Sequence, residues 1–411
     1  MKPAVNLRAL LALLLIASCS RPAPKRAPAH PEPGKLPTDI INEQSSLLDI
    51  TRGASIVSRT GEAMLLMSAI NTIDGEIASF WAPPPHDYPQ SIVIALGAPS
   101  RIDRVGFRSL TEGSFEANHV TFERSLDGTT WQPLTTMTSR SVSEAQWADV
   151  APADAAWLRV TIPDAKNPAR DVRLQSLFAH GTEIAARHDP SLDGCWSING
   201  NAAAFTQHGA RATGVVAQGA QPFFLAGGTN GRIWRFNWIR GNDYGYAALT
   251  ISPDGKHLSA IDWHEEAIPL FTAIPWFGER ASCAAPAARD DVPLAMLRRA
   301  GHVSLFALQF DPAGKLIAGD SREELQSLVN IIRSAPVPLR IVAHEFRQPD
   351  AKRNKEVAER EIASVQEALV QLGSDLGRVT FLASGSDAPR QTPRTNAAKA
   401  IYSSVEVEVR R

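Results

Sequence analysis

The sequence predicts a multidomain protein in which a β-sandwich and an all-β meander domain precede an α+β domain. Short alternating apolar and polar segments, separated by turn residues, run through residues 41–184 and again through 190–285. All nine tryptophans lie before residue 292, and apolar residues at helical spacing become frequent only after it. A chain of 411 residues, 44% hydrophobic and 21% charged, has the length and composition of about two to four globular domains.

The charge balance argues against a nucleic-acid partner. The chain has 42 lysines and arginines against 43 aspartates and glutamates, so its formal net charge is -1. Binding to a phosphate backbone requires a basic surface, and the composition does not supply one. We therefore expect no nucleic-acid binding.

The first residues have the pattern of an export signal. Two basic residues precede the apolar run Leu10–Ala17, which is too short to span a bilayer as a finished helix. The small residues that lead into Cys19 resemble the bacterial lipobox. The resemblance implies that residues 1–18 are removed, that Cys19 is lipidated, and that Ser20 directs the protein to the outer membrane. Several acyl chains would give a stable anchor. The alternative is an ordinary signal peptide that ends beside a cysteine by chance.

Residues 19–40 are predicted to form a linker behind the lipidated cysteine. The segment 20–37 is rich in proline and alanine and offers little to a packed core. Proline-rich chains favour extended conformations, so we expect a spacer between the anchor and the folded part.

Two further cysteines, Cys195 and Cys283, flank the meander segment. An even pair in an oxidising periplasm predicts a disulfide. A metal site is the alternative, although neither thiol has a histidine at a ligand spacing.

The segment 41–184 carries strand-like runs at 91–96, 119–125 and 157–162, which predict an antiparallel sandwich. Further residues stand in the order shown by a known family: Asn71, Asp74-Gly75, Trp81, Leu96-Gly97, Ile102, Val105, Ser125 to Gly128, Trp131, Trp157 to Val160, and Gly181. On these residues the segment resembles the discoidin, or coagulation-factor C-type, family of galactose-binding-like β-sandwiches. The large rings among them are expected to hold the fold rather than to contact a ligand.

This resemblance implies that loops at one end of the sandwich bind a sugar or a lipid head group. Sugar recognition needs an aromatic face beside polar donors, and the candidate residues are Phe80, His86, Tyr88 and Trp147. Some relatives also carry a structural calcium, for which Asp74 is the candidate ligand and Ser79 a further oxygen. Ser176 stands where a carboxylate is common, and because a hard cation needs several oxygens, this loss argues against the calcium. No other cofactor is expected.

The segment 190–285 has strand-like runs at 232–239 and 246–252, punctuated by Asn230-Gly231 and Asp254-Gly255 turns. Its opening Gly194-Cys195-Trp196 and its succession of short strands are similar, at the level of fold, to lipocalin-like barrels. A set of four tryptophans either lines a pocket or forms the core of a small β domain, which is the more common outcome: Trp234, Trp238, Trp263 and Trp276.

The segment 292–411 predicts an α+β sandwich in the order β-α-β-α-β-β. Apolar residues at helical spacing predict helices over 321–335, behind a Ser321 N-cap, and over 355–373. The predicted strands are 303–310, 339–346, 379–385 and 403–410.

Several positions of this last segment resemble the OmpA-like peptidoglycan-binding family: Phe310-Asp311, Val342 to Phe346, Asn354, and Val405 to Val407. In that family an Asp and an Arg hold the diaminopimelate of the peptidoglycan stem. Here Phe346 falls on the Asp position and Glu361 on the Arg position, and neither side chain can make those contacts. The contacts by which that family holds peptidoglycan are therefore not expected here. The charged residues Arg347, Asp350, Arg353 and Arg360 either rebuild a charged site or form a solvated helix face.

The sequence contains neither a Gly-x-Ser-x-Gly elbow nor a His-Glu-x-x-His helix, so we expect no enzyme. The favoured function is a lipid-anchored cell-envelope binding or scaffold protein. In it the discoidin-like domain recognises a glycan or another envelope component, and the OmpA-like domain contacts cell wall or a protein. Two alternatives remain: a carbohydrate-active enzyme with a catalytic middle domain, and a structural component of an envelope machine.

Overall fold

The computed structural model describes residues 45–410, apart from 86, 112–113, 187–189, 265–273, 286, 348–349 and 388–394. Cys19, the linker 19–40 and the ligand candidate His86 lie outside the described residues. The described chain forms three successive parts, a sandwich, a closed barrel, and a mixed sheet with helices. No helix in these described ranges is both long enough and apolar enough to cross a membrane.

Six strands build the sandwich part, after two short 3-10 helices at Ile50–Arg52 and Ala69–Thr72. The strands are β1 (Ser55–Arg59), β2 (Gln90–Ser109), β3 (His119–Ser125), β4 (Gln132–Thr138), β5 (Gln146–Ile162) and β6 (Leu174–Glu183). They run in the order β1-β2-β5-β3-β4, with β6 paired to β2. The β2–β5 register shifts twice, and such bulges bend a strand, so one sheet can fold over a core. The predicted β-sandwich is confirmed.

Alternate residues of these strands point into one core. The fully buried members include Ile92, Ile94, Phe107, Phe122, Leu158 and Val160. Their spacing of two is the spacing at which successive side chains reach the same face of a sheet. The three runs expected from the sequence lie within β2, β3 and β5, because their alternation was set by this core.

Eight strands follow and close into a barrel. They are β7 (Gly194–Ile198), β8 (Asn201–His208), β9 (Arg211–Val216), β10 (Phe223–Thr229), β11 (Trp234–Arg240), β12 (Asp243–Ile251), β13 (His257–His264) and β14 (Ile274–Arg280). Each strand pairs antiparallel with the next, and β14 pairs with β7 to close the ring. A Cys195–Cys283 disulfide ties the first strand to the segment after the last, which confirms the predicted bond.

The barrel interior is filled with aromatic side chains. Trp196, Phe205, Phe223, Phe236, Trp238 and Trp276 are all buried in one cluster. Phe223 meets Trp238 and Trp276 edge to face, at centroid distances of 5.1 and 5.3 Å. Edge-to-face pairs at this distance stabilise a core beyond their buried area. Trp234 joins this core, whereas Trp263 packs outside the barrel against both neighbouring cores. The four tryptophans for which a pocket was the alternative therefore pack in hydrophobic cores.

The C-terminal part is a four-stranded sheet with four helices. Its helices are α1 (Val292–Ala300), α2 (Arg322–Ser334), α3 (Ala351–Gln371) and α4 (Asn396–Tyr402). Its strands are β15 (His302–Leu305), β16 (Leu339–His344), β17 (Val379–Gly385) and β18 (Val405–Val409), in the order β15-β18-β16-β17. The expected strand 303–310 is too long, since β15 ends at Leu305, and the expected order lacked α1 and α4.

The sandwich and the barrel share a polar contact surface. The Thr250 hydroxyl of the barrel donates to the carbonyl of Ala54 at 2.9 Å. Glu183 receives both terminal nitrogens of Arg232 at 2.9 Å and Arg52 at 2.7 Å. The hydrogen bonds from Arg232, followed by those from Arg52, hold the pKa of Glu183 down to about 2. This carboxylate therefore stays charged and ties the two parts together.

The opposite wall of the barrel packs on the C-terminal sheet. The Asn237 side chain donates to the carbonyl of Ser304 at 2.7 Å and accepts its N–H at 3.1 Å, as a neighbouring strand would. Gly228 lies so close to Ala307 that a Cβ on it would fall 2.4 Å from the Ala307 Cα. Because the barrel is covered on both sides, β11 and β12 are buried at nearly every position.

Candidate functional site

Three loops lie together at one end of the sandwich, over the described residues of 74–89 (without 86), 110–118 (without 112 and 113) and 163–173. Main-chain pairings tie them to one another: Trp81 with Leu174, Ala117 with Ala165, and Arg173 with Phe115. Loops held in this way on a rigid sheet can present side chains in a fixed arrangement. This loop end is the part of the sandwich to which the sequence assigned ligand binding.

An arginine between two aromatic rings occupies this loop end. The Arg173 guanidinium carbon lies 3.6 Å from the ring centroid of Phe115 and 5.0 Å from that of Phe80. Asp171 accepts from Arg173 at 3.1 Å, which fixes the guanidinium between the rings. Phe80, Phe115 and Arg173 are all half-buried, so an aromatic face and a charged donor reach solvent side by side.

Exposed apolar side chains lie in the segments next to Phe80. Met64 and Leu65 are 57% and 56% exposed, and Ile77 is 53% exposed. The Asn71 amide donates to the main-chain carbonyls of Leu66 and Phe80, both at 2.9 Å, and so ties the segment before Leu66 to the backbone at Phe80. Exposed apolar groups beside polar ones are a common property of ligand-contacting surfaces.

A buried ion pair stiffens the same end. Glu116 accepts from the Lys166 ammonium at 2.6 Å and from the Ser141 hydroxyl at 2.8 Å. Burial alone would raise the pKa of Glu116, but these two hydrogen bonds outweigh it and hold the pKa below its usual range. The carboxylate is thus charged at neutral pH and links three segments of the chain.

The other two described candidates do not join this group. Tyr88 packs against the sandwich core, and burial raises the pKa of its hydroxyl. Trp147 is a strand residue of β5 rather than a loop residue. Its ring stacks on Phe178 at 5.0 Å and lies across Gly106, where a Cβ would meet it at 2.7 Å. Both rings are used in packing, so neither belongs to the group around Arg173, and their role in ligand binding stays a prediction.

The turn at Asp74 is complete without a cation. Its carboxylate accepts from the Glu76 N–H and the Ser79 hydroxyl, both at 2.8 Å. Desolvation, with smaller contributions from the carboxylates of Glu76 and Asp49, raises the pKa of Asp74 well above its usual range. Both oxygens of Asp74 are engaged by the chain itself, and Ser176 offers no second carboxylate for a hard cation. These residues do not fit the calcium site that the family resemblance implied.

A second site lies between the barrel and the C-terminal part. Five ionisable residues line a cavity of about 380 Å³: Arg235, Asp311, Glu345, Arg347 and Glu361. Glu345 is fully buried and accepts from the Arg347 Nε at 2.9 Å. A terminal nitrogen of Arg347 lies 3.9 Å from Glu361. The guanidinium of Arg235 reaches in from the barrel wall and donates to three backbone carbonyls, those of Phe306, Ala400 and Ser403.

Burial dominates the electrostatics of this second site. Desolvation raises the pKa of Glu361 to about 7, with Glu345 adding to the effect and Arg347 opposing it. Desolvation and the neighbouring Arg347 together lower the pKa of Arg235 to about 10, so this arginine is still charged at neutral pH. The site therefore carries a permanent cation beside a carboxyl that ionises near neutral pH.

The positions inherited from the OmpA-like resemblance separate in the structure. Glu361 faces the 380 Å³ cavity, whereas Phe346 lines a second, smaller cavity against the barrel. Asn354 is buried in the first turn of α3. The sequence left open whether Arg347, Asp350 and Arg353 rebuild a charged site or form a solvated helix face. Arg347 lines the 380 Å³ cavity. Arg353 is exposed and pairs only loosely with Asp350, at 3.7 Å.

Sequence reasoning missed Phe115, Arg173 and Arg235. The first two stand beside polar residues in loops, where no periodicity marks them. Arg235 alternates with core residues of β11, which is the pattern of a solvent-facing side chain on a barrel. Only the docking of the C-terminal part buries it.

Comparison with known proteins assigns the sandwich part. Residues 54–187 match the family model of the F5/8 type C domain. The chain is similar to the C-terminal domain of a Bacteroides fragilis chitobiase, at 25% identity and a TM-score of 0.31 over 33% of this chain and 97% of that one. It is also similar to a galactose-bound family 32 carbohydrate-binding module of Clostridium perfringens NanJ, at 17% identity and a TM-score of 0.27 over 31% and 98%. Comparison with the curated proteins gives no match.

Proposed function

We propose that this chain is a lipid-anchored cell-envelope protein that binds carbohydrate through its sandwich part and acts by binding rather than by catalysis. The observation that carries the proposal is the loop end of an F5/8 type C domain, where Phe80 and Phe115 flank Arg173. A sugar ring packs its C–H groups on an aromatic face and forms hydrogen bonds from its hydroxyls to charged donors and acceptors. This surface provides both an aromatic face and charged groups.

The glycan proposal is tested with the purified full chain on an array of bacterial and host glycans. Phe80→Ala and Arg173→Gln should each weaken binding by about tenfold, since each removes one element of the stacked group. Leu126→Ala is the matched control, because Leu126 is 59% exposed in the β3–β4 turn at the other end of the sandwich. Failure of the unmodified chain to hold any glycan, or full binding by both variants, would contradict the proposal.

The envelope location rests on the lipobox-like pattern at Cys19. Cys19→Ala should move the protein from the membrane fraction to the soluble fraction, because the acyl chains are the proposed anchor. Fractionation of cells followed by immunoblotting measures this. Protein that still sediments with the outer membrane after the substitution would rule out lipidation at Cys19 as the anchor.

We propose further that the C-terminal part contacts cell wall or a protein partner without the diaminopimelate contacts of OmpA-like relatives. Glu361 lines the 380 Å³ cavity and Phe346 the smaller one, and the Phe346 ring has no group that could accept from an ammonium. Glu345 and Arg347 already form an ion pair with each other.

A further inference from the structure

A group of potential metal ligands lies on the face of the C-terminal sheet that meets the barrel. His344, Glu406 and Glu408 place one ligand atom each within 4.8 Å of one another. Glu406 and Glu408 lie on the central strand β18, with His344 at the end of the neighbouring strand β16. The register of the sheet, rather than a flexible loop, therefore brings the three side chains together.

The unsatisfied histidine nitrogen points to a ligand. His344 is 9% exposed, and its Nε2 atom is buried with no hydrogen-bond partner among the described residues. The nearest charged atom is the Glu406 Oε2, at 3.4 Å. A buried polar atom without a partner is costly, and two ligands on one zinc ion, each about 2.0–2.2 Å from it, lie at about this separation.

Space for an ion adjoins these atoms. A cavity of about 20 Å³ is lined by His344 and Glu406, together with Tyr246, Ser304, Phe346, Tyr402 and Ser404. This volume holds a single water-sized particle. Glu408 is less buried than the other two ligands, so the group is reachable from solvent.

A further histidine orients one ligand. The Nδ1 atom of His302 lies 2.8 Å from the Glu406 Oε1, which leaves the other carboxylate oxygen directed toward His344. Tyr246 of the barrel approaches the same His302 nitrogen at 3.3 Å. Contacts of this kind hold a metal-binding carboxylate in its orientation, and their loss weakens metal binding.

We propose that His344, Glu406 and Glu408 bind a single Zn²⁺ ion with a fourth position open to the small cavity. One imidazole nitrogen with two carboxylates suits zinc, whereas calcium and magnesium prefer oxygen ligands alone. The ion would neutralise the Glu406 carboxylate and share that of Glu408 with Arg340, whose Nε donates to Glu408 at 2.7 Å. It would also stiffen the sheet face that packs on the barrel. This site is independent of the carbohydrate proposal.

The test uses the full chain without a histidine tag, stripped with a chelator and dialysed against Zn²⁺. Mass spectrometry of the metal content should give one zinc per chain, and zinc should raise the melting temperature by about 5 °C. His344→Ala and Glu406→Gln should lose the bound zinc, and His302→Gln should bind it about 10–100-fold more weakly. His208→Ala, at an exposed barrel histidine, is the control and should keep one zinc.

Two results would overturn the proposal: no zinc on the unmodified chain after dialysis, or one zinc retained by His344→Ala. If the buried variants fail to fold, Glu408→Gln at the more exposed ligand supplies the same comparison. It should reduce zinc affinity by at least about tenfold while the circular dichroism spectrum stays unchanged.

Discussion

Replacing Arg235 with leucine should lower the free energy of unfolding by about 3–5 kcal/mol, one of the two largest effects expected in this protein. The side chain is 6% exposed and donates to the carbonyls of Ala400 and Ser403, both at 3.0 Å, and of Phe306 at 3.2 Å. Leucine fills much of the same volume but offers no donor. Three buried carbonyls would lose their partner at once, and each unsatisfied group costs about 1–3 kcal/mol.

The charge of Arg235 adds to this loss. Burial and the like charge of Arg347 lower the pKa of Arg235, whereas Glu345 and Glu361 act to raise it, so the positive charge of Arg235 stabilises these two carboxylates. Removing one member of a buried charge group leaves the others uncompensated, which is more damaging than removing the whole group. The carbonyl partners belong to the backbone, so no second substitution can restore the balance.

Urea unfolding of the unmodified chain and of Arg235→Leu, followed by circular dichroism, measures the effect. Arg298→Leu is the matched control, because Arg298 is exposed on α1 and should change stability by less than about 0.5 kcal/mol. A loss below about 1 kcal/mol for Arg235→Leu would mean that the barrel and the C-terminal part do not meet through this guanidinium.

The sequence predicted strand boundaries correctly where apolar and polar residues alternate along a strand that covers a single core. Strands β3 and β17 match the expected ranges 119–125 and 379–385 residue for residue. The sequence of helix α1 contains two helix signals, a proline in its first turn and Gly301 at its C-cap, where the backbone is left-handed. This helix was not predicted from the sequence. Helix α4 has only seven residues, too few for a periodic pattern to show.

Contacts between parts explain the remaining differences. The apolar run 303–310 looks like one strand, yet β15 ends at Leu305 because the chain turns onto the barrel. There the Phe306 carbonyl accepts from Arg235, and Ala307 packs against Gly228. Strands of a barrel wall that is covered on both sides do not alternate between apolar and polar residues, and this alternation is the pattern by which strands are predicted from sequence. The second site and the zinc ligands lie at this interface, so no local pattern marks them.

The second large effect concerns Glu361 and pH. In the unfolded chain this carboxyl titrates near its usual pKa of 4.5, whereas burial raises its pKa to about 7 in the folded protein. The folded state therefore binds the proton more tightly, and the stabilisation is complete below pH 4.5. It is lost progressively as the pH rises through about 7, where the buried carboxylate must ionise.

Glu361→Gln should abolish this loss, since an amide of the same shape does not ionise. At about 1.4 kcal/mol for each unit of pKa difference, its stability relative to the unmodified chain should rise by about 3 kcal/mol between pH 4 and pH 8. Other carboxyls with raised pKa values, Asp49, Asp74 and Glu324, are common to both proteins and cancel in the difference.

Urea unfolding at a series of pH values measures the two stability curves. Glu359→Gln, exposed on the same helix, is the control, and its curve should run parallel to that of the unmodified chain. Parallel curves for Glu361→Gln as well would show that the carboxyl titrates normally in the folded state. In that case the weak 3.9 Å approach of Arg347 would be replaced in solution by a full ion pair, because only a close cation could offset the burial of this carboxylate.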